Sequence, residues 1–327
     1  MKLLEQKKSK EWNDWRWQIE NSVDNIEDLE KFIDLTEDER KSIREVSKKY
    51  RFRLTPYNLS LIDKNNPNCP IRKQFIPSIT EIEDERGWSD PKNEEHTSPV
   101  DCLMQLYPDR LILYLTNSCA TFCRHCIRKR RFCQNDTSVS NEELKKAFDY
   151  IKTDKNIRDI LVTGGDPFLC SDEKIEFVLS ELRKIPHVEI IRLGTRTLST
   201  LPQRITEKLA DMIEKYHPVW INTQFNHYKE ITTEAKKGCE ILLKRGIPLG
   251  NQSVLLKGIN DDVATMKKLI QELGKIRVRP YYIYHCHFVK GGMHFQTSIN
   301  KGKEIIRQLQ GFTSGFLVPR YIISTPK

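Results

Sequence analysis

Four cysteines fall at positions 119, 123, 126 and 133, inside the run TNSCATFCRHCIRKRRFC that covers 116–133. The first three are spaced C-x3-C-x2-C. Thiolates this close together can converge on one metal centre and are poorly placed for a disulfide framework. A structural zinc site closes with four ligands, so a fourth would have to come from elsewhere. A cubane iron–sulfur cluster tolerates three protein thiolates and keeps one iron open for an outside ligand. Cys133 lies past the basic run RKRR (128–131) and reads as a non-ligand. The remaining five of the nine cysteines, at 69, 102, 170, 239 and 286, are isolated and fit small buried hydrophobes in a reducing environment.

Such a centre needs rigid elements to aim it. Short apolar runs rich in β-branched residues recur from 111 onward: LILYLT (111–116), DILVTGG (159–165), IIRLGTR (190–196), VWINTQFN (219–226), PLGNQSVLL (248–256) and PYYIYHC (280–286), with a further strand at YIIST (321–325). Amphipathic stretches such as NEELKKAFDYIKT and DVATMKKLIQELGKI alternate with them. Near-continuous apolar strands alternating with helices predict a parallel sheet with helices outside, a full or partial (β/α) barrel. A doubly wound sheet is the alternative, but no Gly-rich phosphate turn succeeds the first strand. Cys119, Cys123 and Cys126 occupy that place instead, on the face where barrels carry their chemistry. Gly164, Gly165 and Asp166 close the second strand, where glycines would let backbone approach a ligand closely.

Residues 1 to about 55 show helical periodicity, with a helix start expected at Thr36 ahead of Glu37, Asp38 and Glu39. LTPYNLSLIDKNNPNCPIRKQFIPS reads as an irregular connection, and 80–100 as a polar loop. The expected division is an N-terminal helical extension and connection over 1–105 and a barrel over 106–327. The formal charge of +9 is spread over several short basic runs, which is ordinary for a solvated surface. The N-terminus MKLLEQKKSKEWNDW has neither an apolar h-region nor a small-residue cleavage site, and no run is apolar enough to span a bilayer, so a cytoplasmic chain without a membrane is expected.

C-x3-C-x2-C after a first barrel strand and GGD after the second resemble the radical S-adenosylmethionine (SAM) enzymes. CRHCIRKRRF (123–132) resembles C-R-H-C-T-R-R-R-F of the lysine 2,3-aminomutase family. WNDWRWQ (12–18), TPYNLSLID (55–63), YPDR (107–110), LPQRIT (201–206), HPVWINT (217–223), GNQSVLL (250–256), IRVRPYYIY (276–284) and TSGFLVP (313–319) are similar to it too. The resemblance implies a partial TIM-like radical SAM barrel and an isomerase that moves an α-amino group to the β-carbon. It implies a [4Fe-4S] cluster, SAM and pyridoxal 5′-phosphate (PLP), a small amino-acid substrate, an external low-potential electron donor and a homo-oligomer, with no nucleic acid. Carried over by position, Cys119, Cys123 and Cys126 would hold the cluster. Gly164, Gly165, Asp166 and Gln252 would line the SAM side. Arg110 and Tyr107 would lie near the PLP phosphate, with Tyr281 and Tyr284 as an aromatic wall or as core packing. Arg128 would grip the substrate α-carboxylate, a task suited to a guanidinium fork.

The sequence departs from the family pattern in four places. The family's PLP lysine comes after a turn A-P-G-G-G-G-K; the sequence here reads YIISTPK to Lys327, so such a lysine lies either further along the natural chain or nowhere in it. A chain terminus would be a poor place for Lys327 to serve instead, because a PLP lysine must be desolvated and fixed. The two aspartates that bind a substrate ε-ammonium correspond to His287 and Ser324, so free lysine is not the expected best substrate. His287 and nearby Lys290 would suit an anionic or neutral side chain such as glutamate's. A zinc cysteine corresponds to Asp262, so no zinc is expected. A family histidine corresponds to Gln224, and an arginine to Leu106. Two other readings stay open: a PLP-independent radical SAM enzyme acting on peptidyl-lysine or RNA, and a degenerate, non-catalytic iron–sulfur protein.

Overall fold

The computed structural model describes residues 7, 9–133 and 135–324, without the side chains of Phe132 and Cys133. The expectations about Lys327 and the Cys133 thiol lie outside the described residues. Eight strands form one sheet in the order β1-β2-β3-β4-β5-β6-β7-β8. They are β1 (Leu103–Tyr107), β2 (Arg110–Thr116), β3 (Asp159–Gly164), β4 (Ile190–Gly194), β5 (Val219–Thr223), β6 (Leu249–Leu255), β7 (Arg279–His285) and β8 (Arg320–Ile322). From β2 to β8 every pairing is parallel, as the alternation predicts. The barrel is open: β1 and β8 sit at opposite ends of the strand order.

β1 is the strand that periodicity does not reveal. It pairs antiparallel with β2, Leu103 opposite Leu113 and Tyr107 opposite Arg110. The intervening Pro108-Asp109 is a two-residue turn between apolar runs, and that turn chemistry is the available signal. The expected division after residue 105 therefore falls inside a strand.

The helices form as their spacing dictates. Within the extension, α1 (Glu37–Ser47) begins at Thr36 with a full capping box, Thr36 and Glu39 exchanging side-chain and backbone bonds. Among the described residues, the other helices of the extension span six residues or fewer, so the helical periodicity there overstates their length. Outside the sheet lie α2 (Asn141–Thr153), α3 (Asp172–Arg183), α4 (Glu207–Glu214), α5 (Thr233–Lys244), α6 (Val263–Lys275) and α7 (Ile299–Leu309). α2 buries Leu144, Ala147, Phe148 and Ile151, one stripe at helical period. Asp262, the position of the family's zinc cysteine, caps α6 by accepting from the Thr265 N–H at 2.8 Å. No helix among the described residues is long and apolar enough to cross a membrane.

Strand alternation separates two faces. Ile160, Val162, Ile191 and Leu193 are buried in the core under the helices. Their neighbours Leu161, Thr163, Arg192 and Gly194, with Asn222 and Gln252, border an internal cavity of about 540 Å³. The inward face is thus partly polar. The extension has its own core, including Leu29, Ile43, Phe52, Leu54 and Phe75.

Three histidines set an acid limit on this fold. Burial pushes His287 down to about 3 and His227 and His294 down to about 4. All three are neutral when folded and take up protons more readily when unfolded. Their stabilisation is complete above pH 6.5 and is lost as pH falls towards their folded values. Thermal melts of the cluster-free protein from pH 7 to pH 5 should lose about 2 kcal/mol per histidine. An unchanged midpoint over that range would refute this.

Candidate active site

The cysteine stretch leaves β2 and runs across the C-terminal mouth of the barrel. Cys119, Cys123 and Cys126 all border this same cavity, and all three thiols are free. The five isolated cysteines are buried, as expected. Burial raises the Cys119 thiol well above its ordinary value and Cys126 to about 11, with neighbouring thiols adding to both shifts. Thiols held neutral in this way are weak free nucleophiles, whereas a bound metal removes the proton outright. The side chain of Arg196 reaches Cys123 from the far wall, Nη1 donating to Sγ at 2.6 Å.

The GGD segment has a role beyond the ligand approach expected of its glycines. Gly165 N donates to Thr116 O at 2.5 Å, and Asp166 N to Ser118 O at 2.7 Å. The close approach is to the cysteine stretch itself. A Cβ at Gly165 would meet Asn117 C at 2.6 Å, and Gly164 holds φ +137°. The Asp166 carboxylate accepts from Thr195 Oγ1 (2.7 Å), Arg196 N (2.7 Å) and Phe168 N (3.1 Å). It binds the ends of β3 and β4 together while bordering the cavity.

The basic run after the cysteines is not a solvated surface. Lys129 is fully buried, and so is Arg124. Both bind Glu81, whose carboxylate accepts from Arg124 Nε at 2.9 Å. Burial opposes its charge, but Arg124 and Lys129 hold the Glu81 carboxyl down to about 2. Lys129 also donates to Arg124 O and Gly291 O, and Arg124 to Arg51 O. Arg128 borders the cavity, with Nε on Glu94 at 2.8 Å and Nη2 on the Tyr114 hydroxyl at 3.1 Å. Glu94 also holds Arg130 (2.8 Å) and Arg131 (3.8 Å). Glu81 and Glu94 come from the stretch with the composition of a polar loop; both are 1% exposed. The four basic residues at 128–131 are the signal that buried acids must lie nearby.

Every residue that the family resemblance assigns to the site reaches the same cavity: Tyr107, Arg110, Arg128, Gly164, Gly165, Asp166, Gln252, Tyr284 and His287, with the cysteines. Tyr281 joins them, stacked on Tyr282 at 3.7 Å with their hydroxyls 2.8 Å apart. Arg110 lies over the Tyr107 ring at 4.4 Å. Ser324 is present, and Lys290 is not among the lining residues; its N–H bonds to Trp88 O. Lys92, which no motif marks, does line the cavity.

Buried polar atoms without partners border the same space: Thr121 Oγ1, His125 Nδ1, Arg196 Nε, Asn222 Nδ2 and Thr223 Oγ1. Such atoms are costly unless something polar fills the cavity. With three thiols at the mouth and these donors and acceptors below, the residues fit an iron–sulfur cluster with a polar ligand beside it.

Residues 113–270 match the model of the radical SAM superfamily. L-lysine 2,3-aminomutase of Clostridium subterminale is 50% identical over 97% of this chain and 76% of its own length. Glutamate 2,3-aminomutase of Clostridioides difficile is 49% identical over 97% of this chain and 75% of its own. Among solved structures, native anSMEcpe with bound AdoMet and Cp18Cys peptide aligns with a TM-score of 0.52 at 14% identity, over 65% of this chain and 63% of that one, a likeness of fold alone. With half of its residues shared over nearly its whole length, and its cysteines and GGD gathered at the mouth of an open (β/α) barrel, the chain belongs to the lysine 2,3-aminomutase family, isomerases of the radical SAM superfamily.

Proposed function

We propose that this protein is an amino-acid 2,3-aminomutase whose substrate is an α-amino acid with a side chain other than a cation. One observation carries the choice of substrate: among the described residues, no carboxylate accompanies His287 and Ser324 on their side of the cavity, where Lys92 lies instead. A substrate ammonium there would be desolvated beside a like charge, at a cost of several kcal/mol.

When bound, the cluster and SAM supply the 5′-deoxyadenosyl radical, and PLP carries the migrating nitrogen. The protein's own task is position and exclusion of water. Cys119, Cys123 and Cys126 bind the cluster at the barrel mouth. Gly165 and Asp166 fix the segment from which they project, and Gln252 would line the SAM side. Arg128, already oriented by Glu94 and Tyr114, offers its remaining N–H groups to the α-carboxylate. Tyr107 and Arg110 would hold the PLP phosphate, with the Tyr281, Tyr282 and Tyr284 rings as a wall against solvent. A low-potential donor outside the chain feeds the cluster.

The test is anaerobic turnover of the reconstituted holoenzyme with SAM, PLP, a reductant and separate amino acids. Glutamate or another non-cationic amino acid should give a β-amino acid at least about tenfold faster than lysine, the equivalent of about 1.4 kcal/mol. Fast conversion of lysine would overturn the choice of substrate, and SAM cleavage without any β-amino acid would overturn the aminomutase reading.

A further inference from the structure

Lys92 belongs to the extension and yet borders the barrel cavity. Its segment is held in place at both ends. Asp90 accepts from Lys92 N at 3.4 Å and Glu95 N at 3.1 Å. Just before it, Trp88 N donates to Phe288 O at 2.8 Å, and Lys290 N donates to Trp88 O at 3.0 Å. These bonds tie the segment to the residues after β7, next to His287.

The Lys92 ammonium donates to Ser324 Oγ. Among the described residues no carboxylate lies within ion-pair distance of it. The acid nearby, Glu94, is already shared by Arg128, Arg130 and Arg131. Burial, and then Arg128, draw the Lys92 pKa below its ordinary value, with Glu94 opposing. The cavity therefore presents Arg128, Arg131 and Lys92 among its lining residues, with cationic charge in excess. A half-buried ammonium whose partner is a lone hydroxyl is costly unless an anion joins it. His287, neutral because burial pushes it down to about 3, adds a hydrogen-bonding group near Lys92 without adding charge.

We propose that Lys92 is the specificity-determining residue of this enzyme: together with Ser324 it binds the side-chain carboxylate of an acidic α-amino acid, glutamate or aspartate, while Arg128 takes the α-carboxylate. This rests on the aminomutase reading above. One ammonium then performs two tasks, since it attracts a dianionic substrate and repels lysine.

The experiment uses the reconstituted holoenzyme and four substrates, namely glutamate, aspartate, glutamine and lysine. In the wild type an acidic amino acid should be preferred over glutamine. Lys92→Met should raise KM for that acid about 100-fold, with kcat changed much less and the melting temperature unmoved. Lys92→Arg should keep most of the affinity, which separates a charge effect from a packing effect. Lys92→Glu should move the preference towards lysine. The proposal is overturned if β-amino acid forms and K92M has the wild-type KM, or if glutamine is handled as well as the better of the two acids. It is overturned too if borohydride reduction leaves the pyridoxyl group on Lys92, because the ammonium is then not free. Absence of β-amino acid from all four substrates, with SAM still cleaved, would instead bring down the aminomutase reading.

Discussion

Serine in place of Cys119, Cys123 or Cys126 should give a folded protein that neither retains a full complement of iron nor cleaves SAM. Each thiol borders the same cavity, and each would be one of three ligands with no spare among them. A serine hydroxyl is far less acidic than a thiol and binds iron poorly. Removing a group that merely supports a metal ligand costs about 10- to 100-fold. Loss of a ligand should therefore exceed about 1,000-fold in the rate of 5′-deoxyadenosine formation. Cys123 carries a second consequence, because Arg196 donates to its sulfur and the exchange disturbs that contact as well. Iron content and the low-temperature EPR spectrum of the reduced protein are the measurements. Cys133→Ser is the control and should retain iron and activity. If one of the three variants keeps a full cluster while C133S loses it, the ligand set is wrong.

Glu81→Ala should be the most damaging single change away from the metal centre. It leaves Arg124 and Lys129 fully buried with no acid between them. Breaking a buried ion pair from one side costs about 3–5 kcal/mol, and here two cations are abandoned at once. The melting temperature of a chain of this size should fall by about 5–10 °C as a result. The damage should not stay local. Arg124 lies between Cys123 and His125, Lys129 lies three residues past Cys126, and both reach Glu81. Cluster uptake should therefore weaken along with stability. Glu81→Gln, which keeps the volume and loses the charge, should fall between wild type and alanine. A wild-type melt for E81A would show that the triad contributes nothing.

Most of the barrel is legible in the sequence because its signals are local. Seven of the eight strands and the helices between them come from runs of apolar residues, and the start of α1 comes from its cap Thr36, whose oxygen accepts from Glu39 three residues on. The cysteines are legible for the same reason, three ligands close together along the chain. The hidden features depend on partners far apart in sequence. Glu81 meets residues 43 and 48 positions away, and Glu94 meets Arg128 34 positions away. Neither carboxylate stands out in EIEDERGWSDPKNEEHTSPV, where acids are plentiful and their burial has no periodic mark. Lys92 is invisible by the same logic, because its meaning comes from Ser324, 232 residues later. The GGD is conspicuous in the sequence, yet its closest contacts are not: Gly164 makes room for Thr116 and Gly165 for Asn117 and Ser118, which no single-sequence argument identifies.

The segment that carries Lys92 and Glu94 enters from outside the barrel and lies against its mouth, whereas the cysteines and GGD belong to the barrel itself. On the proposed role of Lys92, part of the choice of amino acid is thereby written in a different stretch of the gene from the cysteines. A handful of codons between Trp88 and Ser98 can be rewritten without touching a metal ligand.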